Sequence, residues 1–358
     1  MVTRCAAKRK NSFQHSVATV KSKLTLRLFG IAMTTHTHTH THTQQNISHA
    51  VFLGSKSLGL NVLKKLYSHS PNIKWTIIHP NDADDPRSIL KDFQNFARLC
   101  DLDILISASA SATKQMLSDF KFDIGFVCGW YSILDAESLS YISNGLWGIH
   151  NSLLPKYRGG SPLVWSIING DDLVGSSVFR LSEGMDTGDL LLQVEVENSI
   201  TDDIQSLLDK IEEKLLAELP QKWTSLVNGE AHLYPQSEQN ATYCGQRMPE
   251  DGLINWDKNA TDVHNFIRAQ SPPYPCAYTF LFNEKILVTK STPLNLVYDG
   301  TPGQILRRNE KSVLVACGNR TALEMIEILV DGTKQNPAKT IRSIKYRFMN
   351  EATSSIPI

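Results

Sequence analysis

The chain has 358 residues, 41% of them hydrophobic and 20% charged, with a formal net charge of zero. That is the composition of a folded chain of about two domains, and it excludes disorder throughout. Six cysteines (Cys5, Cys100, Cys128, Cys244, Cys276, Cys317) lie far apart, with no CxxC pair and no Cys/His cluster at zinc spacing, which excludes a disulfide scaffold.

No apolar run reaches the roughly 18 residues of a membrane span, so no membrane partner is expected, and with no Cys/His cluster at ligand spacing no metal is expected either. The charge is unevenly spread. Residues 1–81 hold eleven Lys/Arg and no acid, and residues 82–232 hold eleven against twenty-four acids, a net of −13. Residues 233–358 hold fourteen against twelve. An acidic central segment is a poor surface for a phosphate backbone, which is bound through Lys and Arg.

Residues 1–33 are basic and acid-free, the composition of a mitochondrial-type presequence. The favoured reading is that translation starts at Met33, which makes the protein cytoplasmic, with a mitochondrial address as the alternative. Residues 34–43 alternate Thr and His (His36, His38, His40, His42) and read as a low-complexity linker rather than a metal site. Residues 1–47 are thus an N-terminal extension.

From residue 48 the pattern changes. Residues 50–53 read as a strand, followed by Gly54-Ser55-Lys56-Ser57-Leu58-Gly59 and a helix to about residue 68. Strand 75–78, an amphipathic helix over 86–99 with Pro86 in its first turn, strand 102–106, helix 113–120 and strand 124–128 follow. Alternating strands and helices predict a parallel α/β sheet. The Gly-rich turn is not a GxGxxG fingerprint, and a plain tight turn explains it equally well. A helix running from Asp202 to about residue 227 closes this first domain, 48–232. The polar stretch 231–246 suits a linker. Short β-like runs at 278–282, 285–289 and 313–316 predict a small β-barrel over 245–330, with a loosely held polar tail over 331–358.

The informative stretch runs from Gly148-Ile149-His150-Asn151-Ser152-Leu153-Leu154-Pro155-Lys156-Tyr157-Arg158-Gly159-Gly160-Ser161-Pro162 to Glu183-Gly184-Met185-Asp186-Thr187-Gly188. A strand ending at Ile149 delivers His150 to the carboxyl edge of a parallel sheet, where open α/β folds place their ligands. Ser161 and Pro162 read as the N-cap and first residue of the next helix. The turn at 185–188 can bring Asp186 near His150. Taken singly, such a His is more often structural and such an Asp more often a turn former.

His-x-Ser-Leu-Leu-Pro-x-x-Arg-Gly with a later Gly-x-Asp-Thr-Gly resembles the formyltransferases that use 10-formyltetrahydrofolate. The resemblance covers about residues 48–330. It includes Arg247-Met248-Pro249-Glu250-Asp251-Gly252 and Ile267-Arg268-Ala269-Gln270-Ser271-Pro272-Pro273-Tyr274, similar to the OB-like C-terminal domain of the methionyl-tRNA and sugar enzymes. It implies a Rossmann-like α/β domain with a mostly parallel sheet, plus an OB-like barrel.

The chemistry it implies is attack of a neutral amine on a formyl carbon. His150 stabilises the resulting oxyanion, and Asp186 holds the imidazole charged and helps remove the amine proton. The co-substrate 10-formyltetrahydrofolate would lie along Val127, Gly129 and Trp130, the loop of Ser152, Leu153, Leu154, Pro155 and Arg158, and Gly184 with Asp186. Arg158 either pairs with the folate tail or fixes its loop. The family reads Asn-x-His where this chain has Gly148, so one oxyanion donor is missing. Asn151 is the substitute candidate, although adjacent strand residues face opposite ways. Losing such a donor costs about 2.7–4 kcal/mol.

The matching place for the tRNA enzymes' basic insertion reads Asn81-Asp82-Ala83-Asp84-Asp85, which is acidic. The expected acceptor is therefore a small primary amine, foremost a nucleotide-linked amino sugar. The alternatives are a methionyl-tRNA formyltransferase, so tRNA stays open as a partner, a folate-binding protein whose catalysis has lapsed at Gly148, and a hydrolase of the folate. A homodimer is also kept open.

Overall fold

The computed structural model describes residues 47–85 and 88–349, so the expectations for residues 1–46 and for Pro86 lie outside the described residues. The first lobe runs β1 (His49–Gly54), α1 (Lys56–Ser68), β2 (Lys74–Pro80), α2 (Leu90–Cys100), β3 (Asp103–Ser107), α3 (Ala110–Asp119), β4 (Ile124–Cys128), α4 (Ala136–Ser140) and β5 (Leu146–His150). It continues through β6 (Arg158–Gly159), α5 (Pro162–Ile168), β7 (Leu173–Arg180), β8 (Leu190–Glu197) and α6 (Ile204–Val227). Seven strands form one sheet in the order β3-β2-β1-β4-β5-β7-β8. The first five are parallel, β7 runs antiparallel to β5, and β8 runs antiparallel to β7. Strands such as Ala50–Leu53 are continuous apolar runs because helices cover both faces of a parallel sheet. On one face Trp75 meets Trp223 of α6 at 5.6 Å between ring centroids, and the Trp223 indole donates to Ser70 at 2.7 Å.

The order of the sheet reverses between β1 and β4, which is where doubly wound folds open a crevice for ligands. Here the loops after the two strands lock together. Ser55 N donates to Cys128 O at 3.1 Å, and its hydroxyl donates to Gly129 O. Gly129 has φ +72°, and a Cβ on it would stand 2.3 Å from Ser55 O, so only glycine fits this approach.

The second lobe follows β9 (Tyr243–Cys244), with α7 (Ala260–Arg268), β10 (Ala277–Leu281), β11 (Glu284–Leu294), β12 (Ile305–Arg308), β13 (Val313–Cys317), β14 (Thr321–Val330), β15 (Thr333–Gln335) and α8 (Pro337–Thr340). Its main sheet has the order β10-β11-β14-β13-β12, all neighbours antiparallel. The edge strands β10 and β12 do not pair directly. A strap does it for them: Met349 N donates to Phe280 O and Phe348 N to Gly303 O, each at 2.9 Å.

This corrects the expectation of a loose tail for the part up to residue 349. Ile341 and Phe348 are buried, and Phe348 stacks on Trp256 at 5.4 Å with the rings 15° apart. Basic residues around them hide these few apolar anchors from composition. Phe348→Ala should therefore cost about 3–5 kcal/mol of unfolding free energy. Urea unfolding followed by far-UV circular dichroism checks this; a loose tail would give less than about 0.5 kcal/mol, the range of surface substitutions.

Candidate functional site

Strand β5 ends at His150, and its antiparallel register sets His150 opposite Ser177 of β7. The ring is 8% exposed and meets Phe179 edge-on, with centroids 6.3 Å apart. Its Nε2 lies 2.7 Å from the Tyr157 carbonyl, and its Nδ1 lies 3.6 Å from Asp186 Oδ2. Residues 181–189, between β7 and β8, bring Asp186 across the sheet edge. Asp186 Oδ2 also accepts the Gly159 N–H at 2.8 Å. The two residues singled out in sequence thus meet, although 36 positions separate them. A carbonyl lies against Nε2 at hydrogen-bond distance, and a carboxylate stands just beyond that distance from Nδ1.

Asn151 is not brought to this pair. The next rung of the register sets it beside Ser176, whose hydroxyl donates to Asn151 Oδ1 at 3.1 Å. Alternation across the strand therefore sends the amide to the face opposite His150. At Gly148 a Cβ would stand 2.6 Å from Leu181 Cδ1. The space of a side chain at 148 is taken by Leu181, which packs against the same apolar cluster, around Val51, Leu53 and Leu146, as Val127 and Trp130 do.

The loop after His150 is built from its own contacts. Ser152 is buried and donates to Lys156 O at 2.7 Å. Leu154 is buried against Phe179 and Leu190, its N–H donates to Ser177 Oγ, and its carbonyl accepts Gln193 Nε2. Leu153 rests on Gly175, and Pro155 O accepts Thr242 N. Ser152 and Leu154 thus shape the loop through their own hydrogen bonds.

For Arg158 the structure decides between its two readings. The side chain is 0% exposed. Its Nε and Nη2 donate to Gln236 Oε1 at 3.1 and 3.0 Å, and Nη1 and Nη2 grip Glu238 at 2.9 and 2.8 Å. A last bond runs from Nη1 to Tyr243 OH at 3.0 Å. All five guanidinium N–H groups are used, so Arg158 fixes its loop and has none left for a folate tail. The Arg158 guanidinium holds the Glu238 carboxyl below the usual range.

These partners come from residues 231–246, read in sequence as a linker. That stretch instead lies on the site: β9 pairs with β6, and Cys244 Sγ donates to Gly160 O at 3.0 Å and Tyr157 O at 3.4 Å. Burial, with the charge of Asp186 behind it, pushes the Cys244 thiol up to about 11. Gln236, Glu238 and Tyr243 are the residues that sequence reasoning missed. Ser161 sits at the N-cap of α5 but does not cap it; its hydroxyl accepts Arg247 N and Gln246 Nε2.

Val127, Gly129 and Trp130 lie at the switch-point end of β4, each partly exposed. Trp130 Nε1 is buried with no hydrogen-bond partner. Gly184 lies in the exposed loop that carries Asp186, where a Cβ would meet Thr187 Oγ1 at 2.4 Å. Among the described residues, no group of three His, Cys, Asp or Glu could hold a metal ion, and no helix is long and apolar enough to cross a membrane.

A formyl transferase family model matches residues 34–222, and a formyl transferase C-terminal domain model matches 247–344. The chain belongs to the formyl transferase family. It is an enzyme that transfers a one-carbon formyl group. A methionyl-tRNA formyltransferase of Acetivibrio thermocellus is 30% identical over 276 residues, which is 75% of this chain and 88% of the relative. Among solved structures it resembles WlaRD, a sugar 3N-formyl transferase determined in the presence of dTDP and 5-N-formyl-THF. The TM-score is 0.61 at 19% identity, covering 78% of this chain and 97% of that one. An N-formyltransferase from Helicobacter canadensis, in complex with folinic acid and dTDP-3-aminofucose, gives a TM-score of 0.60 at 17% identity, covering 78% and 99%. These likenesses confirm the α/β formyltransferase fold with its antiparallel second lobe.

The Gly148–Leu181 contact has a measurable consequence. Gly148→Asn should destabilise the protein by about 1–3 kcal/mol through overpacking, at the low end because Leu181 Cδ1 is the far end of a flexible side chain. Adding Leu181→Ala should recover at least half of that loss in thermal unfolding. Equal stability of the single and double variants would show that Leu181 does not fill the space.

Proposed function

We propose that the chain moves a formyl group from 10-formyltetrahydrofolate to a primary amine, with His150 and Asp186 as catalytic residues. The observation that supports this is the 3.6 Å approach of Asp186 Oδ2 to His150 Nδ1 at the carboxyl edge of the sheet. The donor fits the end of β4: the buried Trp130 N–H without a partner suits an acceptor atom on a heterocycle, and Val127 and Gly129 offer backbone there. Gly184 and Asp186 would border it on the other side.

In the reaction the acceptor nitrogen bonds to the formyl carbon while the bond from that carbon to the folate nitrogen breaks. The proton lost by the amine ends on the departing nitrogen. With Nε2 held by the Tyr157 carbonyl, His150 donates to the developing oxyanion from Nδ1, whose 3.6 Å gap to Asp186 Oδ2 leaves that N–H without a hydrogen bond, and the carboxylate beside it stabilises positive charge on the ring at that stage. With Gly148 supplying no side chain, the ring carries a larger share of this stabilisation than a two-donor site would require. His150→Ala should lower kcat by about 10²–10⁴, the usual worth of a positioned acid or base. Tetrahydrofolate release with and without an acceptor measures it; unchanged turnover in the variant rules His150 out, and release without an acceptor indicates a hydrolase.

Among acceptors, the aminoacyl ester of a methionyl-tRNA has gained support over the amino sugar expected from composition. Residues 332–349 hold Lys334, Lys339, Arg342, Lys345 and Arg347 with no acid, all exposed. Among the described residues, only Lys334 of these five has an ion-pair partner, Glu327. The acids at 82–85 are also less repellent than their sequence implies, because Lys56 pairs with Asp82 at 3.1 Å and Asp85 at 2.8 Å. The relative at 30% identity points the same way. A nucleotide-linked amino sugar is the second reading, favoured by the net −13 of residues 82–232.

The two readings separate by charge reversal. Arg342→Glu with Lys345→Glu should raise KM for methionyl-tRNA at least tenfold at low salt, with the wild-type advantage shrinking as salt rises. The same variant should leave KM for an amino sugar unchanged. Turnover with dTDP- or UDP-amino sugars and none with methionyl-tRNA would reject the tRNA reading.

A further inference from the structure

We propose that Gln236 is a positioning residue that sets the His150–Asp186 pair, so that the segment joining the two lobes is a working part of the site. The proposal rests on the catalytic reading of that pair given above. Gln236 Oε1 accepts from Arg158 Nε and Nη2 at 3.1 and 3.0 Å. Its Nε2 donates to two backbone carbonyls of the Asp186 turn, Asp186 O and Gly188 O, each at 2.7 Å. One amide thus spends its full capacity, two bonds accepted and two donated, on tying the loop after β5 to the loop after β7.

The tie matters because of what Asp186 does with its backbone. Asp186 has φ +53°, in the left-handed region that is uncommon for non-glycine residues and that Asp enters more readily than most. Gln236 holds its carbonyl, and the Gly159 N–H holds its carboxylate at 2.8 Å. Gly159 follows Arg158 directly, so Arg158, Gln236, Asp186 and Gly159 close a ring of contacts. The direction in which Asp186 presents Oδ2 to His150 is set by that ring.

Gln236 is itself anchored on both sides. Tyr234 exchanges two backbone hydrogen bonds with Leu190, at 2.8 and 3.0 Å, and Thr242 and Tyr243 bind the 155–158 loop. Glutamate at 236 would keep the bonds from Arg158 but could not donate, and its charge would face two carbonyl oxygens. Methionine would keep the volume and lose both halves. The two substitutions therefore split the tie into its parts.

Gln236→Glu and Gln236→Met are compared with wild type in two measurements. Steady-state formyl transfer should show kcat down at least thirtyfold in each variant, with KM for donor and acceptor within threefold. Amide exchange of the Gly159 N–H should speed up at least tenfold in each, while exchange elsewhere in the sheet stays at its wild-type rate. Unchanged Gly159 exchange overturns the proposal, and so does a global loss of protection in both variants, which marks a residue that only stabilises the fold. A wild-type protein that transfers no formyl group would defeat the function proposed above, whereas the Gly159 exchange rates would still decide the role of Gln236.

Discussion

A guanidinium with no exposed surface must find acceptors for five N–H groups, and the site is arranged around how Arg158 does so. Burying that charge without partners would cost several kcal/mol, which no other contact in the loop could offset. Its acceptors, Gln236, Glu238 and Tyr243, lie about 80 positions later in the chain. The loop after β5 can hold its shape only when the segment after α6 has returned across it. His150 depends on the same closure, since the carbonyl against its Nε2 belongs to Tyr157, whose N–H is held by Thr242 Oγ1 at 2.8 Å.

The second lobe is fastened to the first by another buried guanidinium. Arg268, 5% exposed at the end of α7, donates to Asn198 Oδ1 at 2.6 Å and to the carbonyls of Ser199 and Asp202. His264, one turn earlier, contacts Ile200 O at 2.8 Å. Burial pushes both Arg268 and His264 below their ordinary pKa values, and the loop between β8 and α6 partners Arg268 Nη1 and His264 Nε2, while Asn265 takes Arg268 Nε and Ser291 lies against His264 Nδ1. These directional bonds fix the antiparallel lobe on the first, as a slippery apolar contact would not.

What the sequence made legible follows from the kind of force involved. Strands at 50–53, 75–78 and 124–128 were readable because parallel strands bury both faces and leave unbroken apolar runs. A strand end and a turn sufficed to bring His150 and Asp186 near each other, whereas their catalytic role came only from the family resemblance. The partners of Arg158 were not, because Gln236, Glu238 and Tyr243 are polar residues in a stretch with no period. Their role exists only through contacts far apart in sequence. The strap at 346–349 escaped for a related reason: two buried side chains, Ile341 and Phe348, outweigh a polar majority that composition counts equally.

Gly148 shows how a departure at one position is absorbed by its neighbours. An asparagine there would need the volume that Leu181 fills, so the missing donor is matched by an apolar side chain and not by an empty space. Asn151 cannot repair the loss, since its amide belongs to the opposite face with Ser176. On the proposed mechanism the oxyanion relies on one ring, which the Tyr157 carbonyl holds at Nε2 and Asp186 faces at Nδ1. A site with two donors tolerates a small drift in either of them. With one, the tolerance shrinks to the play left in the Asp186 turn, which Gln236 and Gly159 hold from opposite ends of the same residue.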